Sequence, residues 1–527
     1  MTPTPPSQPT VAHTLHARKG LGDKPLLICD TDQLSYRDAE RRSAALARRL
    51  VGLGAGKGTH VGVLYPNGSA FVVAMLAAAR IGAVVVPFST FAVTTELQAQ
   101  LIASDVSILL AARRFRNHNY IDRITAALQR PASDIDSQTA VYTPAAPVLR
   151  HVLFDTDTAT LHPAEDRVAG LEDAVDAADP MAIIYTSGST GPPKGAVHTH
   201  GALLAHQRNL NEIRGLSSHD VLFCNSPFFW VGGYAFGLLA TLVAGATLVC
   251  SNAEDAGATL DLIEEHRPTI TNGFVAAVTH LTEHPSYADR VFTATRGNLY
   301  PIMAEHARPA DPALRHSMLG MTEAGSVVLL SGDETDQPEH RRGSFGTPAP
   351  GFQTRVVDPA TTEPVSVGEI GELWLRGPYL MQHYHGHNRE DCFDPDGWLR
   401  TGDLVRTDAE GFYYFTARAG AMIKTAGANV TPGEVEAALT RVLTAAGHPA
   451  TVHVVGLPDP TRGEIVGAVL AFDGTPSVEV ETVRAGLRRE LSAYKIPRRW
   501  RVCRRTDLPL LPSGKVDLCA LRPLFDD

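Results

Sequence analysis

Cysteine is scarce in this chain: six residues among 527, at Cys29, Cys224, Cys250, Cys392, Cys503 and Cys519. No two of them stand as Cys-x-x-Cys, which excludes a zinc site or disulfide framework and suits the reduced thiols of a cytoplasmic protein. Excess positive charge is missing too. A net charge of −10 argues against a nucleic-acid partner, and the local run Arg498-Arg-Trp-Arg501 reads as solvated surface. Long apolar runs are also absent: Phe71–Phe88 is interrupted by Arg80, and Phe236–Cys250 is short of the roughly 20 residues a membrane span needs. Both are expected in the core. The first residues, Met1–Thr10, are rich in Pro and Thr with no apolar stretch, which fits a disordered tail over residues 1–12 and not a signal peptide.

What is there is ordinary globular composition, 44% apolar and 20% charged, in a chain too long for one core. Two or more domains are expected. Ser35, with Asp38 three residues on, marks the start of a helix running to Leu50. Val61–Tyr65 reads as a strand, Pro66–Gly68 as a turn, Ala70–Ile81 as a helix and Ala83–Val86 as the next strand. That spacing is a βαβ unit of a parallel sheet. The alternation resumes at Val221 and at Ala246–Cys250, while the acidic stretch Ala132–Asp179 reads as surface connections.

From Val356 short strands (Glu372–Leu375, Trp398-Leu399, Phe412–Phe415) alternate with Gly, Pro and Asp turns, which predicts a β-rich subdomain. Past Gly420 follows a smaller module with helices at Pro432–Leu443 and Val478–Leu491 and strands at Thr451–Val455 and Val466–Phe472. The fold class is therefore α/β. A large domain (13–417) of parallel α/β sheets carries the β-rich subdomain, and a small α+β C-terminal domain (421–527) follows a 418–420 connection.

One stretch stands out chemically. Met181-Ala-Ile-Ile-Tyr185 reads as a buried strand, and Thr186-Ser187-Gly188-Ser189-Thr190-Gly191-Pro-Pro-Lys194 follows it. Such a loop offers backbone N–H groups and hydroxyls to an anion, and Lys194 adds a full positive charge, which suits a nucleotide triphosphate. A mobile loop of no function is the plain alternative. A Walker A loop is another, but it needs Gly directly before its Lys, where Pro193 stands.

The run Tyr185–His200 closely resembles the signature loop of adenylate-forming enzymes: acyl-CoA synthetases, aryl-CoA ligases, peptide-synthetase adenylation domains and luciferases. The resemblance extends over residues 30 to 520 or so. Gly320-Met-Thr-Glu323 is similar to the family's Gly-x-Thr-Glu, which implies Thr322 on phosphate and Glu323 on Mg²⁺, as hard oxygen ligands. Arg400-Thr-Gly-Asp403 implies that Asp403 accepts from both ribose hydroxyls, with Arg418 touching the same sugar. Lys424-Thr-Ala-Gly427, with Pro432 and Glu434, resembles the loop that shapes the thiol acceptor's tunnel. Leu511-Pro-Ser-Gly-Lys515 resembles the C-terminal signature, which implies Lys515 on the substrate carboxylate and α-phosphate. Leu491–Pro497 is a further family segment without an assigned chemistry. Taken singly, Thr-Glu reads as a helix cap, Thr-Gly-Asp as a turn and Gly-Lys as exposed charge.

The sequence also departs from the family. Leu319 stands where a Tyr usually stacks on the adenine, and Arg296-Gly-Asn-Leu299 replaces Gly-Gly-Ala-Pro, with Asn298 expected to hydrogen-bond the base. Trp230 occupies a position often held by His in the acyl-pocket segment, which Gly232 and Gly320 also line by resemblance. At the hinge, Gly420 and Ala421 replace the usual charged residues, and glycine there still permits rotation. The resemblance implies ATP, Mg²⁺ and coenzyme A as cofactors and a small-molecule carboxylic acid as substrate. Formation of an acyl-adenylate, rotation of a mobile C-terminal domain about residue 420, and thioester formation would follow. The alternative acceptors are a carrier-protein thiol, an amine, or nitrite-dependent N–N bond formation.

Overall fold

The computed structural model describes residues 9–136, 140–154, 165–186, 193–275, 278–418, 422–474, 478–510 and 516–525. The chain divides into two compact units, one of residues 1–90, 100–185 and 195–416, the other of residues 91–99, 186–194 and 417–527.

The larger unit is built on two six-stranded sheets. One has the order Arg296–Gly297, Ile270–Asn272, Val221–Cys224, Thr247–Cys250, Pro25–Cys29, Asp32–Ser35. Its strands run parallel except for the last, an antiparallel edge. The other has the order Lys194–Thr199, Pro180–Thr186, Val84–Pro87, His60–Leu64, Ile108–Ala111, His151–Phe154. Helix Ser69–Arg80 is buried on nearly every side, as its all-round apolar sequence requires. It shares one core with strands of both sheets, including Leu27, Leu248, Val61 and Met181. The βαβ reading of residues 61–86 holds, with Val61 registered parallel on Val85. Ser35 accepts the Asp38 N–H and caps helix Tyr36–Gly52.

Arg80, the charge inside the apolar run, is 2% exposed and ion-paired. Its Nη2 lies 2.9 Å from Glu40 Oε1, its Nε 2.5 Å from Glu172 Oε1, and its Nη1 donates to Ser43 Oγ at 2.8 Å. Removing one member of such a buried network costs about 3–5 kcal/mol, because the partner charges stay buried and unpaired.

The β-rich region contains an antiparallel sheet ordered Gln353–Val357, Gly371–Arg376, Leu399–Thr407, Tyr413–Arg418. In the smaller unit, Gly463–Phe472 pairs antiparallel with Thr451–Asp459 and parallel with Arg499–Arg504, and helix Pro432–Ala445 packs on the same core. Lys495, in the segment that had no assigned chemistry, is buried there with Nζ 2.7 Å from Glu434 Oε1.

Three local expectations are corrected. The stretch 132–179 contains a buried strand, His151–Phe154, parallel to Ile108–Ala111, and helix Glu165–Ala174. The short Val-Leu-Phe run is enough for a strand once both faces are covered. Arg498 and Arg499 are exposed, as expected, and Arg499–Arg501 also belong to the paired strand Arg499–Arg504. The last helix is shorter than expected, Val480–Leu487. The N-terminal tail does not reach residue 12: Thr10 accepts the His13 N–H and caps helix Val11–Ala17, with Val11 fully buried. No described helix is long and apolar enough to cross a membrane.

Candidate functional site

The signature stretch begins on strand Pro180–Thr186, with Met181–Ile184 buried, and resumes on strand Lys194–Thr199. Thr186 and Lys194 stand at the facing ends of these strands, whereas Ser187, Gly188, Ser189, Thr190 and Gly191 lie outside the described residues. A Cβ on Gly195 would come within 2.5 Å of Ile183 Cγ2, so that glycine is required by strand packing. Thr199 then accepts the Ala202 N–H and caps helix His200–Arg214.

The last residues of the same stretch support the Thr-Glu pair. Strand Leu319–Met321 ends in a single 3-10 turn, Thr322–Ala324, closed by Gly325 at φ 67°. Buried His198 places Nε2 2.7 Å from the Thr322 carbonyl. Facing a carbonyl, that nitrogen must carry the proton, and burial pushes the imidazole down to about 4 so that it stays neutral. On the other side, Met381 N–H donates to the Glu323 carbonyl at 2.7 Å and the Tyr384 hydroxyl donates to Glu323 Oε1 at 2.8 Å. Segment 382–385 is itself laced to 195–197 by Val197 N–H on His383 O, Gln382 N–H on Val197 O and His385 N–H on Gly195 O. The turn is therefore fixed by backbone and ring contacts on both sides, with the Thr322 and Glu323 side chains half-buried. Gly320 permits this placement, because a Cβ there would sit 2.9 Å from the Ser326 carbonyl on the paired strand.

Asp403 is buried and stands on a different sheet, in strand Leu399–Thr407. Gly402, at φ 73°, sits where the register to the neighbouring strand shifts between Glu372 and Trp374. This bulge re-aims the next side chain. Glu372 braces it, accepting from Gly402 N–H at 3.0 Å and from Trp374 Nε1 at 3.0 Å, while Thr401 Oγ1 accepts the Asp403 N–H at 3.0 Å.

Asn298 is held by the backbone of Gly273. Its Oδ1 accepts the Gly273 N–H at 3.1 Å and its Nδ2 donates to the Gly273 carbonyl at 2.6 Å. Its amide clamps two strand ends together and keeps a further N–H and a further lone pair. Asn298 also lines a small open pocket, with Arg214, Phe236, Tyr300, Met318 and Glu334. Glu334 accepts the Gly297 N–H at 2.9 Å, and burial pushes its carboxyl above the usual range. The pocket wall from the Trp230 segment is Phe236, on the π-helical turn Gly232–Leu239. Half-buried Trp230 packs edge-on against Phe229 at 5.3 Å and is not among the lining residues. Gly232 is roomy, with nothing nearer to a Cβ than Ser226 Oγ at 3.9 Å; at Gly233 a Cβ would fall 2.2 Å from the Pro227 carbonyl.

In the smaller unit, Lys424 and Gly427 belong to a two-residue hairpin in which Thr425 pairs with Ala428. Ala426 (φ 48°) and Gly427 (φ 86°) both have positive φ, the signature of a primed turn, and Lys424 is exposed. The Arg418 backbone ends strand Tyr413–Arg418; Gly420 and Lys515 lie outside the described residues. Sequence reasoning missed His198, Tyr384, Arg214 and Phe236. Only His198 carried a signal, being inside the signature stretch.

Comparison with known proteins accords with this geometry. The family model described as AMP-binding enzyme matches residues 15–385, and AMP-binding enzyme C-terminal domain matches 434–515. The chain is 30% identical over 491 residues to a feruloyl-CoA synthase of Amycolatopsis sp, covering 92% of each protein. It is 31% identical over 524 residues to the 3-[(3aS,4S,7aS)-7a-methyl-1,5-dioxo-octahydro-1H-inden-4-yl]propanoyl:CoA ligase of Mycobacterium tuberculosis, covering 96% of each. The structure of amide bond synthetase McbA from Marinactinospora thermotolerans superposes with a TM-score of 0.77 at 22% identity, over 98% of this chain and 100% of that one. That last likeness concerns the fold alone.

Proposed function

The chain belongs to the AMP-binding enzyme family, and from that premise we propose that it is an acyl-CoA synthetase, which activates a carboxylic acid with ATP and transfers it to coenzyme A. It is an adenylate-forming enzyme. In the first half-reaction a carboxylate oxygen attacks the α-phosphorus, the bond to the bridging oxygen breaks, and pyrophosphate leaves. In the second, the thiol sulfur of coenzyme A attacks the acyl carbon and AMP leaves. The observation that carries the adenylation reading is the Thr322-Glu323 turn, held from one side by His198 and from the other by Tyr384.

Positioning supplies most of the rate in such a reaction. Thr322 presents its hydroxyl to a phosphate oxygen, Asp403 takes the ribose hydroxyls, and the loop Thr186–Lys194 holds the leaving pyrophosphate. Lys515 brings a cation to the carboxylate and α-phosphate, where charge develops. Glu323 fits a magnesium ion by its chemistry, being a half-buried carboxylate, a hard oxygen donor, oriented by the Tyr384 hydroxyl on Oε1. A divalent cation bound there would neutralise phosphate charge. Lys424–Gly427, a stiff hairpin tip, shapes the path of the thiol. Coenzyme A as acceptor rests on the relatives at 30% and 31% identity, both named for coenzyme A ligation and matched over nearly their whole length.

The test is direct. Purified protein with ATP, Mg²⁺ and a panel of carboxylic acids is assayed for pyrophosphate exchange, then analysed by mass spectrometry with and without coenzyme A. Exchange together with an acyl-CoA product supports the whole reading. Exchange with acyl-AMP that coenzyme A never consumes replaces the acceptor with a carrier thiol, an amine or nitrite chemistry.

A further inference from the structure

Asp105 breaks two local rules at once. It stands two residues past helix Thr94–Ala103 with a φ of 50°, the left-handed region that a helix end ordinarily gives to glycine or asparagine. It also sets a negative charge beside a helix C-terminus, where the macrodipole favours a cation. Its partner is His385, whose Nε2 lies 3.0 Å from Asp105 Oδ2. Facing a carboxylate, that nitrogen carries the proton and donates it. With Asp105 55% exposed, such a pair contributes little to stability. Stability therefore does not explain why an acid stands here.

The surroundings of the pair supply a reason. Both ends of the signature loop are tied to this one helix end. On the entry side, the Tyr185 hydroxyl donates to the Ala103 carbonyl at 2.8 Å. On the exit side, the His385 N–H donates to the Gly195 carbonyl at 2.7 Å while its imidazole reaches Asp105. The Tyr185 ring covers Gly195, where a Cβ would come within 2.9 Å of it. His60 completes the cluster, with Nδ1 2.7 Å from the Ser104 carbonyl and its ring edge-on to that of His385 at 5.2 Å. The three backbone bonds between 195–197 and 382–385 align the exit strand with its neighbour, but none of them touches the helix end. The imidazole–carboxylate bond makes that link. His385 also adjoins Tyr384, whose hydroxyl orients Glu323.

We propose that Asp105 and His385 are a positioning pair for the adenylation half-reaction. With Tyr185 they hold both ends of the loop that grips the leaving pyrophosphate, and through Tyr384 they restrain the Glu323 carboxylate. Neither side chain touches substrate; each acts through the groups it holds. A left-handed, wrongly charged helix end is a local cost, and such costs are retained where the surrounding structure uses them. The inference rests on the adenylation reading for the identity of the bound anion, ATP with its magnesium.

Asp105→Gly separates positioning from stability, because glycine relieves the left-handed backbone and removes the acid from the helix end. Its urea midpoint is expected at or above the wild-type value. Its kcat/KM for MgATP in pyrophosphate exchange falls about tenfold, the usual loss when a supporting partner is removed. The KM of the carboxylic acid, and conversion of supplied acyl-AMP with coenzyme A, stay within about twofold. Asp105→Asn, which tolerates the same φ and keeps an acceptor for the Nε2–H, restores exchange to within about threefold of wild type. His385→Ala matches Asp105→Gly, and the double variant is no slower than either single one, as two residues acting through each other require. Wild-type exchange in Asp105→Gly overturns the proposal, as does a midpoint that falls in parallel with exchange. Losses that multiply to about a hundredfold in the double variant overturn it too. If His385→Ala fails to fold, the two Asp105 variants decide on the same criteria. Calorimetric binding of MgATP without acid keeps the two readings apart. A wild type that exchanges with no acid, yet binds MgATP about tenfold more tightly than Asp105→Gly, retains the brace on the loop and rejects the adenylation reading. Exchange that is indifferent to both residues does the reverse.

Discussion

The hydroxyl of Tyr384 donates to Oε1 of Glu323 across 61 residues of sequence, at 2.8 Å. It fixes which way the carboxylate faces. A partner that orients a metal-binding or phosphate-facing carboxylate is worth on the order of 10–100-fold in metal affinity or activity. Tyr384→Phe is therefore expected to slow pyrophosphate exchange by about tenfold and to raise the Mg²⁺ concentration needed for half-maximal rate, with little change in thermal stability. A magnesium titration of wild type and variant checks it. An unchanged titration would leave Tyr384 with packing alone.

Adjacent glycines give a sharper contrast. Gly233→Ala places a methyl 2.2 Å from the Pro227 carbonyl, whereas Gly232→Ala meets nothing nearer than 3.9 Å. The backbone must move in the first case, at a cost of about 1–3 kcal/mol or more. Gly233→Ala is expected to lower the denaturant midpoint measurably and to disturb the π-helical turn that carries Phe236. Gly232→Ala should leave stability within about 0.5 kcal/mol of wild type and alter acid preference at most. Equal losses in both would mean that the Pro227 contact relaxes freely.

These cases show what was legible in the sequence and what was not. The βαβ unit at 61–86 was readable because local spacing determines it, whereas Gly320 and Asp403 entered only through the family resemblance. Arg80 was visible as an interruption of an apolar run, although its partners Glu40 and Glu172 were not. The clamp made by Asn298 was not legible, because nothing in the sequence says that Gly273 lies beside it, with its backbone engaging both ends of the amide. Tyr384 was invisible for the same reason: it acts through Glu323, a partner set by the packing of distant elements. The strand His151–Phe154 was lost in an acidic context because four residues carry too little periodicity to be recognised.

Acid sensitivity follows from three histidines. His198, His200 and His206 are fully buried, and burial pushes each down to about 4 from an ordinary value near 6.5. His206 Nε2 donates to the Val327 carbonyl at 2.9 Å, and the Val11 N–H donates to His200 Nδ1 at 3.3 Å. Because the folded value lies below the unfolded one, the unfolded chain takes up protons first as pH falls. Stability is full above about pH 6.5 and declines down to about pH 4, by an upper limit on the order of 3 kcal/mol per histidine. Urea midpoints measured from pH 7.5 to 5 should fall accordingly. His206→Gln, which retains a donor for the Val327 carbonyl but cannot be charged, should flatten the slope by about one proton. A slope unchanged in that variant would show that His206 is not among the groups responsible.

The division of labour between the half-reactions turns on Lys515. If its charge serves the pentacoordinate α-phosphorus, Lys515→Ala should lower pyrophosphate exchange by about 10²–10³-fold, the usual cost of removing one group aimed at developing charge. Conversion of supplied acyl-AMP and coenzyme A to acyl-CoA requires no new charge at phosphorus, so it should fall by less than tenfold or so. Substituting Lys424, on the hairpin of the smaller unit, should invert the pattern, sparing exchange and depressing thiolysis. Lys515→Arg distinguishes charge from reach: a bulkier, forked cation restores some exchange if charge alone matters and little if the single ammonium must fit between carboxylate and phosphate. Both half-reactions are measured on the same preparations, with circular dichroism to verify folding. Equal loss in the two, with the fold intact, would remove Lys515 from the first step and leave the phosphate charge to Glu323's cation and the loop around Lys194.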